Sequence, residues 1–531
     1  MKKTIGIIIA FILPVFLMYI IFFENEPQPS KLDLLRQTIA QKKVPAVDHS
    51  KFPELNRKFE RPQEITLACI SCHNKRHEEV MQTSHWRWLI DEYMDSRGII
   101  SFGKRNAINN FCISINGSEG SCNRCHIGYG YDSKDFDFTK AENIDCIVCH
   151  DNSGLYQKEK EAAGYPKKDL DFTKIAQSVG KPKMDNCGFC HFDGGGGNNA
   201  KHGDLEEALY TANRGIDVHL GRDGGRFECV TCHEAKNHNI KGRLYTVASM
   251  NRNRLLCEDC HSNSPHNEDI INEHTTKVAC QTCHIPTYAK VNQTKTFWDW
   301  SKAGKLIDGK PFKIENEQGN HIYLSEKGEI RWESNLQPEY VWFNGTSTHY
   351  LMGDTIDEIP LKLNKFLASY SDMNSKIYPV KIMRTIQPYD PVYNRLVNPK
   401  LWDKETGKGA LWKDFNWERA IDEGMKYVNH EWSGKYDFVQ TEMYWLINHM
   451  VSPKEDALKC EDCHTRNNSR LAAIKDVYLP GRDHSPFVDN YGFALIIVVL
   501  AGVFIHGGTR IVYSRKINKK RRNKYEEGLY L

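Results

Sequence analysis

Apolar side chains are concentrated near the two ends of the chain, and the middle is polar and finely divided. Residues 4–23 form a 20-residue run without a charge, preceded by Lys2 and Lys3. Such a run is long enough to cross a bilayer as a helix. No small-x-small cleavage site follows it, so an uncleaved anchor over 1–23 is expected rather than a signal peptide. A second apolar run covers 491–505, with His506 and Arg510 interrupting its continuation. Residues 24–64 are polar and read as a linker running into a helix. Residues 65–290 leave room only for short helices and loops. Alternation at 321–324 and 329–332 predicts a β-hairpin around Lys327 and Gly328, and hence a small β content within 285–345. From 417 to 449 the pattern turns helical. The expected fold is mainly α with many loops and a membrane helix at each end. Its segments are 1–23, 24–64, 65–290, 291–470, 471–490 (a second linker) and 491–531.

Charge orients this layout. Of the net +3, the tail from Arg510 carries +6, which leaves −3 on the remainder. By the positive-inside rule both termini face the cytoplasm and the body lies outside it. A bacterial inner membrane with the body facing the periplasm is therefore expected. Nothing in the charge pattern reads as a nucleic-acid patch.

The chemistry is carried by one phrase, Cys-x-x-Cys-His, used eight times. Its cysteine pairs are Cys69/Cys72, Cys122/Cys125, Cys146/Cys149, Cys187/Cys190, Cys229/Cys232, Cys257/Cys260, Cys280/Cys283 and Cys460/Cys463. The histidines are His73, His126, His150, His191, His233, His261, His284 and His464. This is the spacing of c-type haem attachment: two thiols form thioethers and the adjacent histidine ligates the iron. Zinc ribbons also use such cysteine pairs but need no histidine after every second cysteine. The motifs take 16 of the 17 cysteines, so eight covalently bound haems are expected. Successive motif starts in the first seven are 53, 24, 41, 42, 28 and 23 residues apart, and so little chain per haem predicts haems in mutual contact.

Low-spin haems need a second axial ligand. Seven histidines outside the motifs are candidates: His85, His202, His219, His238, His266, His274 and His449. Seven for eight irons leaves one haem that differs, and a weakly held position marks a reactive haem rather than a relay. The remaining cysteine, Cys112, lies ten residues before Cys122 and is potentially reactive towards sulfur compounds.

Several phrases resemble the octahaem cytochromes c of the tetrathionate reductase type, within the wider group of hydroxylamine oxidoreductase and the octahaem nitrite reductases. They are Glu79-Val80-Met81 through His85-Trp86, 109–112, Gly194 to Gly197 with Lys201-His202-Gly203-Asp204, and Met443-Tyr444-Trp445 with His449. The resemblance covers about 64–464. It implies a lysine, here Lys201, as axial ligand of the active haem, with Cys112 beside it. The active haem is then the one on Cys122, Cys125 and His126. It further implies a reductase of tetrathionate, or of nitrite or hydroxylamine, fed by a quinone-linked or cytochrome donor. A hydroxylamine-type oxidase and a conduit without turnover are the alternatives. The anchored ends depart from the family's soluble form, and His506 is either a quinone or haem contact or an interfacial residue.

Overall fold

The computed structural model describes residues 47–95, 97–243 and 250–527, together with 34 and 37. The expected anchor over 1–23 lies outside the described residues. The chain divides into two compact units, 1–458 and 459–531.

The amino-terminal half of the first unit is built from single helical turns. The longest helix there, α1 (Pro62–Cys72), has proline in its first turn, where a missing N–H costs nothing, and ends inside the first motif. The segment before it is not a free linker. Leu55 and Phe59 join Ile65, Ile147, Phe172 and Ile175 in a small core against α2 (Phe172–Gln177). A two-stranded hairpin, β1 (Ile90–Met94) and β2 (Gly98–Phe102), completes the region. Most motif cysteine pairs sit on one helical turn, for example Cys229–Cys232 and Cys460–Cys463. That spacing places both thiols on one face of the turn.

The other half is not mainly α. It rests on a nine-stranded sheet that extends well beyond 285–345. The strands are β3 (Thr294–Asp299), β4 (Lys313–Glu315), β5 (His321–Leu324), β6 (Gly328–Glu333), β7 (Glu339–Phe343), β8 (Leu361–Lys362), β9 (Lys376–Asp390), β10 (Arg395–Leu396) and β11 (Asp437–Leu446). Their main path runs β8-β11-β9-β3-β6-β5-β4, with β7 and β10 also paired to β9. The hairpin expected at Lys327 and Gly328 is present: β5 and β6 pair antiparallel with Leu324 opposite Gly328. Gly328 has φ +80°, and a Cβ there would strike the Asp299 carbonyl, so no other residue fits. The long strand β9 escapes pattern reading because it is buried almost throughout and does not alternate. Its Pro379 and Pro388 also argue against a central strand. Within 417–449 only α3 (Trp417–Tyr427) is helical, and the rest leads into β11. Trp298 and Trp300 stack at 4.7 Å at the centre of the largest core.

The sheet fixes two loops from the other half. Lys381 of β9 is fully buried, and its Nζ donates to the carbonyls of Ala200 (3.1 Å) and Lys201 (2.9 Å) and to Thr294 Oγ1 (2.6 Å). Thr385 Oγ1 donates to the Asn110 carbonyl (2.9 Å), Gln387 Nε2 to that of Asn109 (2.7 Å), and Trp300 Nε1 to that of Phe111 (3.1 Å). The segments around Cys112 and Lys201 thus share one rigid support.

The second unit contains the eighth motif and a long helix. A π-helical turn (Val488–Gly492) runs into α4 (Phe493–Glu527). The helix over Val488–Tyr525 is the one among the described residues long and apolar enough to cross a membrane. Its apolar side chains, such as Leu495, Ile496, Val498 and Phe504, are more than half exposed.

Candidate functional site

A continuous cavity of about 3570 Å³ runs through the first unit, lined by cysteines of the first seven motifs. Cys280 and Cys283 share the helix Cys280–His284, and the Cys283 carbonyl accepts from the Leu458 N–H at 2.9 Å. The segment leading to the eighth motif is thereby joined to the turn of the seventh.

Six motif histidines face a second histidine across the cavity. The ring centroids are 6.3 Å apart for His73 with His49, 6.3 Å for His191 with His85, and 6.5 Å for His150 with His238. They are 6.1 Å apart for His261 with His219, 6.2 Å for His233 with His449, and 6.1 Å for His284 with His266. Two metal–nitrogen bonds of about 2 Å each plus the two ring radii fill such a gap.

The rings are held as ligands require. His150 Nδ1 lies 2.8 Å from the Gly180 carbonyl and His233 Nδ1 2.8 Å from that of Lys241. His238 Nδ1 meets Glu79 Oε2 at 2.8 Å, and His449 Nδ1 meets Asp204 Oδ2 at 3.1 Å. Anchoring Nδ1 fixes the tautomer and leaves Nε2 for a metal. The residues therefore fit covalently held, bis-histidine haem.

Among the described ring pairs the second histidines include one not expected, His49, and lack two that were, His202 and His274. His49 stands opposite His73, although it falls in the stretch read as a linker. His202 stands beside the Trp445 ring (5.1 Å, edge-on) rather than opposite any motif histidine among the described ring pairs. Burial holds its pKa well below the ordinary value. His274 ends the short helix Asp269–His274, with Nδ1 2.6 Å from the Ile270 carbonyl. In the second unit His464 Nδ1 lies 2.7 Å from the Pro480 carbonyl.

Cysteine sulfurs of different motifs lie side by side, which gives the motifs an order in space. The neighbouring pairs are Cys69 with Cys146, Cys125 with Cys190, Cys187 with Cys229, and Cys257 with Cys280. Cys149 is within electrostatic reach of Cys187 and Cys190, and Cys260 of Cys232. In order of sequence, the motifs run first, third, fourth, fifth, sixth, seventh. The second is joined to the fourth as a side branch.

That branch has different chemistry. His126 is fully buried in a box of Trp86, Trp88, Tyr131, Phe136 and Phe138, with centroids 5.1–6.0 Å away. Its Nε2 lies 2.6 Å from the Trp86 carbonyl, and its Nδ1 is buried without a partner. This reverses the arrangement of His150 and His233: the ring is turned away from a ligating pose. Burial pushes the imidazole pKa down to about 3.

Lys201 also approaches this motif. Its Nζ lies 4.8 Å from the Trp445 ring and within electrostatic reach of Cys112 and Cys125. Burial pulls its pKa down to about 8, helped by the charge of Lys104. The neutral amine, the form that can ligate iron, is thus within reach at ordinary pH. The four-glycine run makes the approach possible. A Cβ on Gly195 would come within 3.2 Å of Lys201 Cβ, and one on Gly196 within 3.2 Å of Lys295 Nζ.

Lys295 sits beneath this floor. It is 2% exposed, donates to the Gly195 carbonyl (3.0 Å) and lies 3.9 Å from the Trp298 ring and 5.1 Å from that of Trp332. Burial lowers its pKa from 10.5 to about 7, with Cys112 acting to raise it. Below pH 7 both folded and unfolded chains hold the proton, and the cost of burying the cation is carried in full. Between 7 and 10.5 the unfolded chain binds the proton that the folded one releases, so stability rises with pH. The shift corresponds to about 5 kcal/mol, of which the indole faces return about 2. Lys295→Met should therefore stabilise the protein by about 3 kcal/mol at pH 6, with the gain vanishing above pH 10.5. Thermal unfolding of both proteins across that range checks it. A variant destabilised equally at every pH would refute the assignment.

Comparison with known proteins places these features in context. Residues 295–467 match the family model of bacterial cytochrome c, 47–243 that of domains II/IV of the MtrC/MtrF-like outer membrane cytochromes, and 213–285 that of cytochrome c7 and related cytochromes. The chain is 40% identical to a solved octahaem cytochrome c of Shewanella oneidensis, over 81% of this chain and 96% of that one, with a TM-score of 0.74. An uncharacterised protein of Archaeoglobus fulgidus is 23% identical, over 36% of this chain and 80% of that one.

Proposed function

Because the chain belongs to the octahaem cytochromes c, whose covalently bound haems transfer electrons, we propose that it is a membrane-anchored reductase whose bis-histidine haems feed a reactive one on Cys122 and Cys125. The observation that carries this reading is the inversion at His126. Its Nε2 is taken by the Trp86 carbonyl, while the buried amine of Lys201 stands nearby. Lys201, not His126, would then hold the iron, leaving the other side for substrate. His202, expected as an axial ligand, would instead line the reactive chamber beside Trp445.

The haem supplies one-electron reduction and an open coordination position when bound. The protein's own contribution is to bind and to exclude. Cys112 and Lys201 are held to one sheet by Lys381, Thr385 and Gln387. The aromatic box around His126 keeps water from one side. Sulfur and nitrogen oxyanions suit a chamber lined by lysines; tetrathionate is our first candidate, with nitrite and hydroxylamine next. The apolar α4 and its basic end support anchoring with the haem body outside the cytoplasm. A quinone-linked or cytochrome donor would feed it there.

The unbroken order of motifs would equally serve a conduit without turnover. Purified protein assayed with reduced viologen against tetrathionate, nitrite and hydroxylamine separates the two readings. The reductase should turn over at least one of them, and nitrite or cyanide should perturb the spectrum of one haem in eight. No turnover together with no ligand binding would leave only the conduit.

A further inference from the structure

Two lysines in the chamber wall are not iron ligands in the reading above. Lys104 Nζ lies 3.9 Å from the Trp88 ring and Lys327 Nζ 4.8 Å from that of Trp412. Both residues are half-buried and both line the cavity beside Cys112 and Cys122. Among the described residues neither has a carboxylate within 4.0 Å, although surface lysines such as Lys58 and Lys313 do. An indole face braces a cation without neutralising it. Two half-buried charges are thus left to be satisfied by something entering the cavity. Glu119, whose field also reaches Cys122, is engaged by the Tyr427 hydroxyl at 2.8 Å, and burial raises its pKa.

The fields of both lysines reach the Cys122 sulfur, and that of Lys104 also reaches Cys125 and Lys201. They therefore stand beside the sulfurs that would hold the haem. Cys112, the free thiol, lies within the same field at Cys122.

We propose that Lys104 and Lys327 form the anion-binding wall of the reactive chamber, holding a small inorganic oxyanion against Cys112 and selecting anions over neutral substrates. This rests on the chamber at Cys122 being the substrate site. Charged hydrogen bonds of this kind are each worth about tenfold in affinity.

The test compares Lys104→Gln, Lys327→Gln and the double variant with wild type and with Lys58→Gln, a surface control of equal charge change. Nitrite is titrated into the oxidised holoprotein and the haem spectrum gives Kd. In parallel, kcat/KM is measured for nitrite and for hydroxylamine, which is largely neutral at pH 7. Each glutamine should weaken nitrite binding by about tenfold and lower the nitrite-to-hydroxylamine ratio similarly, with kcat less affected than KM. The control should match wild type. Lys104→Arg and Lys327→Arg keep the charge and should retain binding, which guards against glutamine variants that assemble poorly. A double variant that binds nitrite as wild type does overturns the proposal. So do shifted haem potentials with unchanged Kd, since the lysines would then be serving propionates. Wild type that binds no anion at all would remove the substrate-site reading and this wall with it.

Discussion

Replacement of Lys201 by methionine should abolish reduction while leaving the protein folded and fully haem-loaded. Methionine keeps an unbranched stem of similar length, so the packing of Lys201 against Gly194 and Gly195 survives. What is lost is the amine. His126 cannot take its place without breaking the Nε2 contact with the Trp86 carbonyl and opening its aromatic box. Turnover with reduced viologen should fall by at least about 100-fold, since a lost ligand costs no less than a lost supporting group. Low-temperature spectra should show one haem altered and the others unchanged. Lys201→Arg should fail as well, because a guanidinium stays protonated and has no lone pair to give. Full turnover in either variant would show that the reactive haem is elsewhere.

The largest effect on stability is expected at Asp145. Its carboxylate is wholly buried and pairs with Lys158 Nζ at 3.0 Å. Tyr129 and Tyr156 donate to it at 2.9 and 2.6 Å, and so does the Val148 amide at 3.0 Å. Lys158 in turn donates to the His126 carbonyl at 2.5 Å. One ion pair thereby ties the second motif to the third. Removing one member leaves an uncompensated charge in the interior, at a cost of about 3–5 kcal/mol. Asp145→Ala should show that loss in denaturant unfolding. Replacing both partners, as Asp145→Asn with Lys158→Met, should recover most of it. If the double variant is as unstable as the single one, the carboxylate matters for its hydrogen bonds and not for its charge.

How far the sequence anticipates the molecule depends on how local the cause is. The Cys-x-x-Cys-His turns are local, and each forms where its spacing places it. The hairpin at Gly328 is local too, dictated by one glycine against one carbonyl. Strand β9 is not, because it is covered by partners such as β3, paired with it 87 residues earlier in the chain. Helical spacing in 417–449 gives way at Tyr427 for the same reason: β11 gains more by pairing with β9 than by continuing α3. Among the ligands, His85 and His449 stand where their neighbouring phrases suggest. His49 is legible only by allowing that a histidine ahead of the first motif can fold back onto it. His202 misleads because it adjoins Lys201 and shares its chamber but not its direction. Lys104, Lys295 and Lys327 carry no sequence signal; each is an ordinary lysine until a tryptophan is brought against it.

The branched order of the motifs has a consequence for timing. Among the described residues the cysteine sulfurs of the Cys122 motif meet those of one other motif, at Cys125 and Cys190. A substrate that needs several electrons must receive them in single file through that junction, while the two arms beyond it hold the remainder in reserve. A fully reduced molecule would then deliver a fast initial burst and afterwards run only as quickly as its reserve is refilled. Shortening either arm would shrink the burst without touching the chemistry at Lys201.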